Sequence, residues 1–362
     1  MGLRTVVGAV ELRVWQGKDP RDEHWGCPIR ESWGLRAHQQ MSWALEDRLA
    51  FTATLAGSYE QAASLAKKWG CEVDDSVIHA LVQRLGSQAE AQTRQRLKTL
   101  PQESQPEGRA SQLAVLMMDG WQARFRGPGW GQKKTQQERV EWHELKTGVF
   151  YLQEQAGRTE AGRGMITRKS LVRWQGEPVD FGQRLHWEAL RGGLARAKET
   201  LVVADGGAWI WNLKTQRWPQ ARELLDFYHG AEHLWELGRA YQRAEESKTK
   251  LWVEERLHRL RYGQEKRVLK EISQLKAPRG EAAETVRKQK NYFAGQSGRM
   301  NYKEMADHGW PIGSGPVESA CRQSQCRFKR PGQSWTPLGL RNLCALDEAR
   351  HNEHWEELWL QA

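Results

Sequence analysis

Two apolar runs in this chain end the same way, on an aspartate followed at once by glycine. Leu113-Ala114-Val115-Leu116-Met117-Met118 stops at Asp119-Gly120, and Leu201-Val202-Val203-Ala204 stops at Asp205-Gly206-Gly207. Short runs of this kind, the second rich in β-branched residues, read as buried strands. A carboxylate at the C-terminal edge of a strand, beside a backbone free to bend, stands where α/β proteins place ligands. A third acid, Glu318, lies in Gly313-Ser314-Gly315-Pro316-Val317-Glu318. That segment reads as a helix start with Gly315 at N-cap, Pro316 at N1 and Glu318 at N3. The expectation is that Asp119, Asp205 and Glu318 converge to hold divalent metal ions.

A chain of 362 residues is long for one core, so two or three domains are expected. It carries 55 Lys and Arg against 45 acids, a net charge of +10, which suits a polyanionic partner. Five cysteines, an odd number without a CxxC pair, point to a reduced, cytosolic state. The apolar runs are far too short to span a membrane. Met1 to Trp15 mixes Arg4, Glu11 and Arg13 among its apolar residues, which no signal peptide does.

Along the chain, residues 1–41 read as a strand and linker segment, with one or two strands in Arg4 to Trp15 and a turn-rich link at His24 to Pro28. Residues 42–110 read as helical. Ser58-Tyr59-Glu60-Gln61 is a capping box, and a second helix capped by Asp75 or Ser76 turns Val77, Ile78, Leu81, Val82 and Leu85 inward. Two short helices with a tight joint fit either a helix-turn-helix that reads DNA or an ordinary helical hairpin. Ser87 to Pro106 reads as a helix fading into a linker.

Residues 111–240 read as the first part of an α/β core. Strands are expected at the Asp119 run, at Val140 to Leu152, at Ser170 to Trp174 and at the Asp205 run. Helices are expected at Phe181 to Lys198 and Arg222 to Leu237. This β-β-β-α-β-α order fits a mixed sheet flanked by helices. Residues 241–310 form a helical insertion. Tyr241 to Lys290 holds 14 Lys and Arg against 8 acids, a pattern of either a solvated helix face or a phosphate-tracking surface. Residues 311–362 read as the final part of the core. They hold the Glu318 helix, the basic residues Arg322, Arg327, Lys329 and Arg330, expected as DNA contacts, and a closing helix from Leu338 to Trp359.

Several stretches, in this order, resemble the DDE transposases of bacterial insertion sequences, specifically the ISKra type. They are MMDGW (Met117 to Trp121), VVADGGAWIW (Val202 to Trp211), DFYHGAEHLW (Asp226 to Trp235), PIGSGPVESACRQ (Pro311 to Gln323) and RFKRPGQSWTPLGLRNL (Arg327 to Leu343). The long gap before Glu318 is similar to the helical insertions of the hAT and Mutator-like superfamilies. Those groups carry a C/D-x-x-H motif, matched here by Asp226 and His229. The resemblance implies an RNase H-like core with Asp119, Asp205 and Glu318 as its three acids, holding two Mg²⁺ or Mn²⁺ ions. It implies an oligomer acting on the terminal inverted repeats of double-stranded DNA and on target DNA, in a bacterial cytoplasm beside the nucleoid. Relatives often carry a cysteine-rich, zinc-ribbon-like segment near the N-terminus, and this chain has only Cys27 there.

Two ions held by carboxylates can stabilise both the entering and leaving oxygens of a phosphodiester. His229 then contacts a phosphate, orients a flipped base, or is a buried histidine near Asp226. Arg322, one turn after Glu318, either reaches the same phosphate or forms a surface ion pair. Most of the 19 tryptophans are expected in the core, and Trp209 and Trp335 either join it or stack on bases. Two other readings fit the same acids less fully: an RNase H-like nuclease or resolvase without strand transfer, and a domesticated DNA-binding protein.

Overall fold

A computed structural model describes residues 2–18, 25–36, 39–101, 110–242, 245–276 and 279–360. Of the expected links, His24 and residues 102–109 lie outside them, whereas Trp25 to Pro28 are described and hold a short strand and the start of a helix. In chain order, β1 (Gly2–Thr5) and β2 (Gly8–Glu11) form an antiparallel hairpin, and β3 (Gly17–Lys18) pairs with β4 (Trp25–Gly26). Helices α1 (Pro28–Ser32), α2 (Trp43–Leu55), α3 (Tyr59–Lys68) and α4 (Asp75–Arg96) follow. Then come β5 (Leu113–Arg126), β6 (Val140–Leu152), β7 (Ala156–Arg158), β8 (Gly164–Ile166), β9 (Ser170–Trp174) and α5 (Pro178–Arg191). The chain continues through β10 (Glu199–Ala204), α6 (Ala208–Arg217), β11 (Arg222–Leu225) and α7 (Phe227–Tyr241). The remaining helices are α8 (Glu246–Arg261), α9 (Glu265–Gln274), α10 (Glu281–Gly295), α11 (Tyr302–Asp307), α12 (Gly315–Phe328) and α13 (Pro337–His351). Contacts divide the chain into two units. One comprises Met1–Thr99, Gln122–His143 and Gln323–Ala362, the other Leu100–Trp121 and Glu144–Arg322.

In the first unit, side-chain caps start α2 and α3, whereas α4 begins after Asp74 without one. The Ser42 hydroxyl accepts from Leu45 N, and the Ser58 hydroxyl accepts from Gln61 N at 3.1 Å. The expected box at Ser58 is half formed, because Gln61 Oε1 accepts from Gly57 N rather than from Ser58 N. The second helix, α4, is 22 residues long and ends at Arg96, within the stretch expected to fade. It buries Ile78, Leu81, Val82 and Leu85 and packs along α13, which buries Leu340, Leu343 and Leu346. Each such leucine or isoleucine contributes about 2 kcal/mol when removed from water.

The two helices meet at Gly86, where a Cβ would stand 2.2 Å from the Asn342 carbonyl oxygen. That oxygen is backbone and cannot swing aside. Gly86→Ala should therefore part the helices at a cost of about 3 kcal/mol, offset by about 1 kcal/mol of helix propensity. A melting temperature lowered by several degrees is the expected result; an unchanged or raised one would show that the helices separate freely.

The second unit is built on a mixed sheet in the order β11-β10-β5-β6-β9. β5, β10 and β11 are parallel, while β9 runs antiparallel to β6. Leu113 to Met118 and Leu201 to Ala204 are fully buried, as strands covered on both faces must be. One face packs Leu116, Met118, Val202 and Ala204 against Phe181 and Leu185 of α5 and Ile210 and Leu213 of α6. Trp209 joins that core edge-on to Phe181 at 5.8 Å.

One sequence expectation is corrected here. Arg222 to Leu237 is a strand and then a helix, because Asp226 caps α7 and Arg222–Leu225 pair into the sheet. β5 continues past Asp119 through Trp121 to Phe125. The expected helical stretch is present as α8, α9, α10 and α11, and several of its arginines are paired. Arg256 and Arg259 both reach Glu271, at 3.0 and 2.8 Å.

Candidate active site

The parallel register of β5 and β10 sets Met117 beside Val203 and Met118 beside Ala204. The next residue on each is an aspartate, Asp119 still within β5 and Asp205 just past the end of β10, so the two are neighbours, one strand spacing of roughly 5 Å apart. Both are partly buried. Asp119 Oδ1 accepts from Gly120 N at 2.6 Å, and its carboxylate also accepts from the Cys321 thiol. Burial pushes the Cys321 thiol far up, so it stays protonated and can donate. Cys321 is bonded in turn to Thr147, whose hydroxyl accepts from Trp121 Nε1 at 3.1 Å.

Asp205 Oδ1 accepts from Gly207 N at 3.0 Å. Between them Gly206 has φ +103°, a conformation that a side chain disfavours. Helix α10 secures this bend. Tyr292 Oη donates to Asp205 O at 2.9 Å, and Gln296 Nε2 donates to Gly206 O at 3.2 Å.

Glu318 lies in the first turn of α12. Its main-chain N–H donates to Ser314 O at 3.1 Å, so Ser314 is the cap. Glu318 is therefore one position further in than the expected N3. The cause lies in Asp226, which is fully buried. One of its carboxylate oxygens accepts from His229 N at 2.7 Å, starting α7, and the other accepts from Ser314 N, starting α12. A single carboxylate thus begins two helices, and the dipole of each favours it there. Ser314 Oγ donates to Glu318 Oε1 at 3.1 Å, and Arg322 Nη2 stands 3.7 Å from Glu318 Oε2.

The three expected acids share one electrostatic environment. The Asp119 carboxyl is held above its usual range, first by burial and further by the negative charges of Asp205 and Glu318, against the bonds from Cys321 and Gly120. Among the described residues, however, no three His, Cys, Asp or Glu side chains form a ready-made metal cage. Glu318 leans on Ser314 and Arg322. The donor set is all oxygen, with a surplus of negative charge, and it suits a hard divalent cation.

His229 is partly exposed. Its Nε2 is 3.2 Å from His233 Nε2, and its Nδ1 is 3.7 Å from Glu232. His233 Nδ1 bonds Gln289 Oε1 at 2.8 Å, and its ring stacks on Tyr292 at 3.7 Å. Neutral His233, donating through Nδ1, accepts at Nε2, so His229 Nε2 is the donor between them.

Burial chiefly, then the charges of His229 and Lys288, hold His233 below its ordinary range, against the Gln289 bond and Glu236. The unfolded chain takes up this proton before the folded one does. Stability from this group is thus complete above about pH 6.5 and is lost as pH falls toward the depressed value. Thermal melts between about pH 7.5 and about pH 5.5 should show that loss, and His233→Gln should reduce it. An identical slope in the variant would remove His233 as its source.

Of the expected basic contacts, Arg322 is exposed and lies in the second unit. Arg327, Lys329 and Arg330 belong to the first. Lys329 is exposed over the Trp142 ring at 5.4 Å, and Arg330 donates to Gln61 Oε1 at 3.1 Å. Arg327 is buried rather than displayed on a surface. Sequence reasoning missed Cys321, Tyr292 and Gln296 as supports of the acids. The signal available for Asp226 was its position three residues before His229, which is cap spacing.

No protein-family model matches the chain, and no curated protein matches it. Among solved structures the chain is similar to the Drosophila P element transposase strand transfer complex. Identity is 10% and the TM-score 0.28, over 92% of this chain and 84% of that one. A likeness so slight carries no argument about the chemistry. Among the described residues no helix is long and apolar enough to cross a membrane.

Proposed function

We propose that the chain is a DNA transposase of the DDE type, which cuts the ends of an insertion sequence and joins them to target DNA. The observation that carries this reading is the β5–β10 register, which brings Asp119, within β5, beside Asp205, the residue just past the end of β10. The strand order β9-β6-β5-β10-β11, with helices interposed after β9, β10 and β11, supports an RNase H-like core. The net charge of +10 suits a double-stranded DNA partner.

Asp119, Asp205 and Glu318 would hold two Mg²⁺ or Mn²⁺ ions. Bound there, such ions supply positive charge to the entering and leaving oxygens of a phosphodiester. The chain's own residues do the rest. Gly120 N–H and the Cys321 thiol orient Asp119, Gly207 N–H orients Asp205, and Ser314 orients Glu318. Arg322, exposed beside Glu318, is placed to receive a phosphate. In the first reaction water bonds to phosphorus and the 3′-oxygen leaves, taking a proton. In the second that 3′-hydroxyl bonds to a target phosphorus, loses its proton, and the target 3′-oxygen leaves.

The test uses purified chain, duplexes carrying the inverted repeats that flank its reading frame, and Mg²⁺ or Mn²⁺. Cleavage at the repeats followed by joined product is expected. Cleavage without joining would leave a nuclease, and cleavage undiminished in EDTA would end the metal-dependent reading altogether.

A further inference from the structure

The first unit contains a cleft of about 500 Å³, a size that suits small ligands. Three helices turn their N-terminal ends to it: α3 through Ser58 and Tyr59, α4 through Asp75 and His79, and α13 through Thr336 and Gly339. Unsatisfied N–H groups and aligned dipoles make such ends attractive to anions. Arg327 also lines the cleft, although it is only 7% exposed. Its guanidinium donates over long distances, 3.3 Å to Gly57 O and 3.4 Å to Ala53 O, and its Nε has no partner. Among the described residues no carboxylate pairs with it. Asp347, an acid whose charge is felt at Arg327, is engaged by Arg350 at 2.7 Å. A buried cation left this way is costly until an anion joins it.

Aromatic faces complete the cleft. Arg327 lies 5.4 Å from the Tyr59 ring and 5.8 Å from that of Trp335. Trp335 is held rigidly, with Nε1 bonded to Phe328 O at 2.7 Å and its main chain paired to Arg124 and Arg126. At the rim, exposed Arg126 lies 5.3 Å from the ring of Trp130, which is 41% exposed. Glu60 and Asp75 also stand there, exposed. They repel a phosphate placed beside them but can accept from an amino group on a base.

We propose that this cleft holds one unpaired nucleotide of a DNA strand, its phosphate toward Arg327 and the helix ends, its base against Trp335 and Trp130. An acidic peptide would use the cation but leave the ring faces without a partner; a nucleotide uses both. The proposal concerns the first unit by itself and does not depend on the catalytic reading of the three acids.

The test is fluorescence anisotropy of the full chain in EDTA, with a labelled single-stranded oligodeoxynucleotide and a blunt duplex of the same sequence. The single strand should bind about tenfold tighter than the duplex. Arg327→Gln should weaken it about tenfold or more, and Trp130→Ala about fivefold. If circular dichroism shows Arg327→Gln unfolded, the rim variants Trp130→Ala and Arg126→Gln decide alone. Equal affinity for the two DNAs, or undiminished binding by the folded variants, overturns the proposal. So does displacement by a glutamate-rich peptide as effective as displacement by DNA. A mononucleotide that competes at the oligonucleotide's own affinity overturns the assignment to a strand and identifies a free nucleotide instead.

Discussion

Asp205→Asn should lower Mg²⁺-dependent end cleavage by about a thousandfold or more, the scale of losing charge stabilisation worth several kcal/mol. DNA affinity should stay within about threefold, because DNA binding draws on basic groups elsewhere on the chain. The substitution is clean for a structural reason. Asparagine retains Oδ1, which can still accept from Gly207 N, and the Tyr292 bond is to the main-chain oxygen of residue 205. The bend at Gly206 should therefore persist, and the melting temperature should hardly move. What is lost is one negative charge beside Asp119. Its removal should also make Asp119 easier to ionise, since Asp205 is one of the charges that raise its pKa. Wild-type cleavage by this variant would remove Asp205 from the chemistry and with it the transposase reading.

Asp226→Ala should have the largest effect on stability. Two main-chain donors, His229 N and Ser314 N, would lose the one buried group they share. A buried donor left unmade costs about 1–3 kcal/mol, and a lost cap about 1 kcal/mol. The expected sum is about 3–5 kcal/mol, seen as a shift in the denaturant midpoint. Activity should fall too, by about a hundredfold, because α12 would no longer be started where Glu318 can serve Asp119 and Asp205. Asp226→Asn keeps one acceptor and sets an amide N–H against a donor, so it should fall between alanine and wild type. Asp226 is a positioning residue on this account. The loss should appear in kcat and in the metal concentration needed for half activity, with DNA affinity unchanged. An unaltered midpoint in Asp226→Ala would show that the two helices start without it.

Both variants bear on what a linear reading can recover. The apolar runs before Asp119 and Asp205, the strands at Val140 to Leu152 and Ser170 to Trp174, and the long helical stretch before Glu318 were legible, because each is written in the periodicity of adjacent residues. β11 was not legible. Arg222-Glu223-Leu224-Leu225 is short and half charged, and it becomes a strand only because β10 offers it a partner. The start of α12 was misplaced by one residue for a similar reason. Gly315-Pro316 carries a local helix-start signal, but the group that decides the matter, Asp226, lies 88 residues earlier. Arg327 looked like one of a row of surface cations, since nothing near it in sequence reveals that Tyr59 and Trp335 enclose it.

The chain's own order of residues was enough to determine most of the strands and helices, though not β11, and which acids are candidates for the chemistry, since caps, turns and apolar spacing act over a few residues. Only the tertiary structure decided the register that sets Asp119 beside Asp205, the shared cap at Asp226, and the burial of Arg327. Each of these depends on groups far apart in sequence, and hydrogen bonding and exclusion of water act on distance in space.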